Sequence, residues 1–198
     1  MDSRPSLLPR PSWPARDALG RMTASQDPTV AESQTVPADG AVPVDSLSAR
    51  RFIPALPAEI FAVLADPLGH VDIDASGMLQ DAEGDTVTSI GDRFVVHMDR
   101  EALGDVPMGR YDVTVVIDRF ERDREIAWWI DGTIQPPIGH RYGYALDAGE
   151  HDGVQGTWVT SSYDWSQVSD KWRRIFPVLT EANLRATLGI LERVTRRR

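Results

Sequence analysis

The sequence predicts an α+β fold, an antiparallel meander of strands with its helices gathered on one face. Apolar residues alternate with a period of two along several segments between Asp92 and Trp165, the pattern of half-buried strands. Short polar or glycine-bearing stretches join those segments and leave no room for crossover helices, so neighbouring strands run antiparallel. The chain then closes on one long segment of helical period, Val178 to Arg198. At 100° per residue, Leu179, Leu184, Thr187, Leu188, Ile190, Leu191 and Val194 fall within roughly half of its circumference. Arg185, Glu192, Arg193 and Arg196 fall on the other half. Pro177 precedes it, where proline can start a helix, and terminal arginines suit the negative end of the helix dipole. An apolar face that wide needs a broad partner, and the strand region is the candidate.

Composition narrows the class. The 198 residues suit one domain with a tail, and 41% hydrophobic with 26% charged residues is ordinary for a globular protein. A net charge of -9 argues against nucleic acid or an anionic membrane as the main partner. Without cysteine, disulfides, thiolate metal sites and a cysteine nucleophile are excluded. No apolar run approaches the roughly 18 residues of a spanning helix, and the first residues lack a signal peptide's apolar core. The expectation is a cytoplasmic protein with no integral membrane association.

Taken in order, residues 1–45 are rich in Pro, Ser, Ala and Asp and poor in aliphatics, so they read as a disordered tail ahead of a domain over 46–198. Ser46 to Ile53 reads as a strand, and the prolines 54 and 57 turn the chain. Pro57 to Asp66 then forms a short helix, ended by Asp66-Pro67. Leu68 to Gly77 reads as a loop leading into a strand from Met78. Asp92 to Arg100 places Phe94, Val96 and Met98 on one face, and Arg110 to Glu121 does the same for Tyr111, Val113, Val115 and Ile117. Arg122 to Arg124 is a turn. Glu125 to Asp131 aligns Ile126, Trp128 and Ile130, which sends Trp129 to the opposite face. After a loop at Gly132 to Gly139, His140, Tyr142, Tyr144 and Leu146 share a face. Gly149 to Gly156 is a turn and Thr157 to Trp165 the last strand.

This order, with Pro57-Ala-Glu-Ile-Phe61, His70-Val-Asp-Ile-Asp-Ala-Ser-Gly77, Gly91-Asp-Arg-Phe94, Ile126-Ala-Trp128 and Tyr163-Asp-Trp-Ser166, resembles the START-like superfamily, also called SRPBCC or the polyketide cyclase/dehydrase and lipid-transport family. The resemblance runs from about Ser46 to Arg196. It implies a helix-grip fold, in which a curved antiparallel sheet wraps the long C-terminal α-helix and leaves a cavity between them. That scaffold hosts carriers, cyclases and cochaperones, so function must be argued from the cavity.

The expected cavity lining is Phe94, Val96, Met98, Tyr111, Val113, Trp128, Tyr142, Tyr144, Leu184, Leu188 and Leu191, with His140, Tyr142 and Tyr144 supplying the few polar contacts. His140 and His70 are the candidates for proton transfer. For His70 the competing reading is a surface loop histidine, and for His140 a strand-edge histidine reaching solvent. Asp72 to Glu83 fits the spacing of a calcium loop. The flanking helices of an EF-hand are missing, so Asp72, Asp74 and Ser76 read as turn residues that bind backbone amides, and no metal or other cofactor is expected. No nucleophile elbow, phosphate-binding glycine loop or zinc motif occurs. The leading expectation is a binder of a small hydrophobic, lipid- or polyketide-like molecule. Two alternatives stand beside it: a polyketide cyclase/dehydratase-like enzyme that acts by orienting its substrate, and a protein-interaction module using the outward tryptophans 129 and 158.

Overall fold

A computed structural model describes residues 45–198 apart from 102–103, 105–107 and 133–135. The tail expected over 1–45 lies outside the described residues except for Asp45. Seven strands form one antiparallel sheet, β1 (Ser46–Ile53), β2 (Leu79–Glu83), β3 (Arg93–Asp99), β4 (Arg110–Glu121), β5 (Glu125–Asp131), β6 (Arg141–His151) and β7 (Val154–Asp164). Their order is β1-β7-β6-β5-β4-β3-β2, so the meander runs from β2 to β7 and the first strand closes beside the last. Among the described residues four helices accompany the sheet, α1 (Pro57–Leu64), α2 (Pro67–Asp72), α3 (Asp170–Arg173) and α4 (Glu181–Thr195).

Register places the alternating residues in rows across the sheet. Val96 pairs with Val113 and Met98 with Tyr111. Ile117 pairs with Trp128, Trp128 with Tyr142 and Tyr142 with Tyr163. Partners opposite one another in an antiparallel pair share a face, so these side chains meet on the concave side. Trp129 pairs with Val116 and Arg141 on the convex side. There, Phe52 and His151 pack against Trp158, with the Arg50 guanidinium 4.8 Å above its ring.

Three expected boundaries are corrected. The turn over 149–156 shrinks to Asp152-Gly153, both at positive φ, because this pair accepts the left-handed backbone of a tight hairpin and lets both strands continue. The terminal helix starts at Glu181, where the Thr180 hydroxyl accepts the Asn183 amide and the Asn183 side chain accepts the Thr180 amide. The stretch 68–77 does not remain a loop. The Asp66 carboxylate accepts from the Leu68 amide at 3.1 Å, Pro67 takes the first helical position, and α2 follows. Asp66-Pro67 therefore ends one helix and caps the next.

The apolar stripe of α4 buries Leu184, Leu188 and Leu191, and α4 packs on β1, β7, α1 and α2. Arg51 of β1 reaches across to Glu192 of α4 at 2.7 Å. Arg198 pairs with Asp66 and Asp72, at 2.9 and 3.1 Å. α4 thus lies over the β1 and β7 end of the sheet, and α2 over the β2 and β3 end.

Candidate functional site

The concave face carries a continuous seam of rings. It begins at His70, edge-on to Phe94 and Trp128 with centroids 4.8 and 4.6 Å away. Trp128 stacks on Tyr142 and Tyr144, at 6.0 and 5.9 Å. Tyr142 meets Tyr163 at 4.9 Å. His140 closes the seam, packed against Tyr142, Tyr163 and Phe176. Sequence alternation brought Trp128, Tyr142 and Tyr144 together, because β5 and β6 are neighbours in register.

The expected lining separates into three groups. Leu184, Leu188 and Leu191 belong to α4 and the core around it. Phe94, Val96, Trp128 and Tyr144 are buried in the middle of the sheet. Met98, Tyr111, Val113, His140 and Tyr142 are half-buried at one end, where β3 finishes, β4 begins and β6 begins. An open recess of about 340 Å³ at that end is lined by Met98 and Tyr111 with Gln80, His97, Asp99, Arg110 and Asp112. A second, of about 210 Å³, lies on the convex side among Trp129, Gly139, Arg141 and Gln167.

His70 is not the surface histidine that a loop would present. It is 5% exposed, and its Nε2 lies 2.9 Å from the Leu64 carbonyl, so that nitrogen carries the proton and donates. Burial pulls its pKa down to about 4, because a charged imidazole there would lose its hydration. The placement was missed because it depends on α2, which only the Asp66 cap could have signalled.

His140 has its Nδ1 3.2 Å from the Tyr163 hydroxyl, and burial lowers its pKa to about 4 as well. The phenols titrate in the opposite sense. Desolvation pushes Tyr144 up to about 12 and raises Tyr142 and Tyr163 above the ordinary phenol range. At neutral pH the seam is therefore a set of uncharged donors and acceptors. The Val178 amide faces the Tyr163 hydroxyl, and Phe176 packs on Tyr163 and His140, which ties the segment after α3 to the seam. Neither Tyr163 nor Phe176 was anticipated. Tyr163 was legible as the in-phase partner of Tyr142, whereas Phe176 lies in an aperiodic stretch.

The calcium-like spacing is occupied by local bonds. The Asp74 carboxylate accepts from the Ser76 and Leu79 amides at 2.9 and 3.0 Å, and Ser76 Oγ accepts from Met78 N at 3.1 Å. Asp72 pairs with Arg198 instead of a turn amide, and Glu83 faces His97 at 3.4 Å. Among the described residues no three His, Asp or Glu side chains stand as a metal-binding group.

No family model and no curated protein matches the chain. Among solved structures, Protein Ms6760 from Mycobacterium smegmatis is similar with a TM-score of 0.54 at 15% identity, over 78% of this chain and 92% of that one. Protein MLL2253 from Mesorhizobium loti gives a TM-score of 0.54 at 15% identity, over 77% of this chain and 97% of that one. An AHSA1-like protein from Aeromonas hydrophila follows at 17% identity and a TM-score of 0.49, over 77% and 92%. At such identities the first two speak for the fold alone. With its curved seven-stranded antiparallel sheet and C-terminal helix, the chain has a helix-grip fold.

Proposed function

We propose that this protein binds a small hydrophobic molecule at the half-buried end of the aromatic seam, among Met98, Tyr111, Val113, His140, Tyr142 and Phe176. One observation carries the reading: uncharged polar groups, His140, Tyr142 and Tyr163, are embedded in an otherwise apolar run of rings that reaches the surface at one end. Apolar walls with a few convergent polar atoms are the usual make-up of a small-molecule site. His140 leaves its Nε2 as the ring nitrogen open to a guest, since Nδ1 faces the Tyr163 hydroxyl. His70 takes no part, being enclosed by Phe94 and Trp128 and bonded to Leu64. The buried leucines of α4 support the fold around the site without lining it.

The test is a titration of the full chain with an environment-sensitive apolar fluorophore, beside native mass spectrometry of freshly purified protein. We expect saturable binding, and a Val113→Trp variant, which fills the mouth, should weaken it about tenfold or more. Unchanged affinity in a folded Val113→Trp protein would overturn the reading. A bound mass that leaves on denaturation would give the ligand's chemical class.

The His140–Tyr163 contact supports a second reading, a cyclase-like enzyme in the same place. There, His140 Nε2 would polarise a substrate carbonyl while the seam orients the chain. Turnover of a candidate polyketone by His140→Ala at the parent rate would remove that role.

A further inference from the structure

The segment between β7 and α4 differs in character from the rest of this acidic chain. Asp170-Lys-Trp-Arg-Arg-Ile-Phe-Pro-Val178 holds three cations and one carboxylate, in a protein of net charge -9. Arg173 is committed to Asp45 at 2.6 Å and to Asp170 at 3.8 Å. Lys171 lies over the Trp172 ring at 4.8 Å, and neither it nor Arg174 has a carboxylate partner among the described residues. Beyond Arg174, Ile175 is 57% exposed and Val178 38%. Phe176, by contrast, turns inward against His140. The segment therefore turns two uncompensated cations and two aliphatic side chains outward, and one ring inward onto the seam.

Exposed aliphatics cost free energy in water, and cations beside them gain nothing from an apolar protein partner. An interface of anionic headgroups over acyl chains satisfies both at once. We propose that the segment Lys171 to Val178 docks this protein on an anionic lipid surface, with Lys171 and Arg174 at the headgroups and Ile175 and Val178 seated below them. The expectation against anionic membranes followed from the whole-chain charge. Screening over about 8 Å at physiological salt makes the local balance the relevant one. The proposal does not depend on ligand binding, since vesicle docking can be read whether or not the seam holds a guest.

Lys171 is the chain's single lysine, which allows a localised test. The full chain is mixed with vesicles of phosphatidylcholine alone, or of equimolar phosphatidylglycerol and phosphatidylcholine. The sedimented fraction is measured, and Lys171 acetylation by an amine-reactive ester is followed by peptide mass spectrometry. Binding to the anionic vesicles only is expected, with Lys171 protected in the bound chain. Lys171→Glu with Arg174→Glu should reduce binding about tenfold or more, and Ile175→Ser should also reduce it. Arg197→Glu, at the far end of α4, should leave it unchanged. Circular dichroism checks that each variant is folded. Equal binding to both vesicle types, a bound chain whose Lys171 reacts at the free rate, or a folded double variant that binds like the parent would each overturn the proposal.

Discussion

At 5% exposure and with Nε2 on the Leu64 carbonyl, His70 is a neutral donor at neutral pH. Unfolded, its imidazole titrates near 6.5; folded, near 4. Between those values the unfolded chain holds the extra proton, so stability is complete above about 6.5 and falls as the pH drops toward 4. The shift corresponds to roughly 3 kcal/mol. His140 acts in the same direction. Urea unfolding at pH 7 and 4.5 should show this loss, and His70→Gln should flatten it while lowering stability at pH 7. Equal pH slopes in variant and parent would show that the core histidine is not the source. Tyr163→Phe keeps the ring contact with Tyr142 but removes the hydroxyl that meets His140 and faces the Val178 amide. It should cost about 1–3 kcal/mol and speed hydrogen exchange at Val178 more than at strand amides.

Among the elements, α2 makes the difference between a lidded and an open sheet. Its approach to α1 leaves no room at Gly69, where an added Cβ would stand 1.9 Å from the Val63 carbonyl oxygen. That oxygen is backbone and cannot rotate away. Gly69→Ala should cost about 3 kcal/mol or more and expose His70, which a histidine proton resonance titrating nearer 6.5 would reveal. The start of α4 is set more gently, by the reciprocal Thr180–Asn183 bonds. Thr180→Ala should lower the denaturation midpoint by the equivalent of about 1 kcal/mol. The strands were legible from alternation alone, since a half-buried strand repeats its environment every second residue. α2 was not, because six residues are too few to display a helical period.

For the whole molecule, α4 and the sheet depend on one another. Leu188 and Leu191 are fully buried, and Leu188→Ala should lower the unfolding free energy by about 2–5 kcal/mol in a single transition, measured by denaturant melts. The sequence by itself determined the α+β class, the strands and their facing residues, the grip of the final helix, and the inward alignment of Trp128, Tyr142 and Tyr144. Those features repeat locally, and each residue's side follows from its neighbours' period. Only the tertiary structure decided that His70 is roofed into the core, that Tyr163 and Phe176 join His140, and that α4 covers the β1–β7 side while α2 covers Phe94 and Trp128. It also decided which cations of the 170–178 segment are spent on carboxylates and which face outward. These are contacts between segments far apart in the chain, set by how two helices share one curved sheet, and no local period encodes that division.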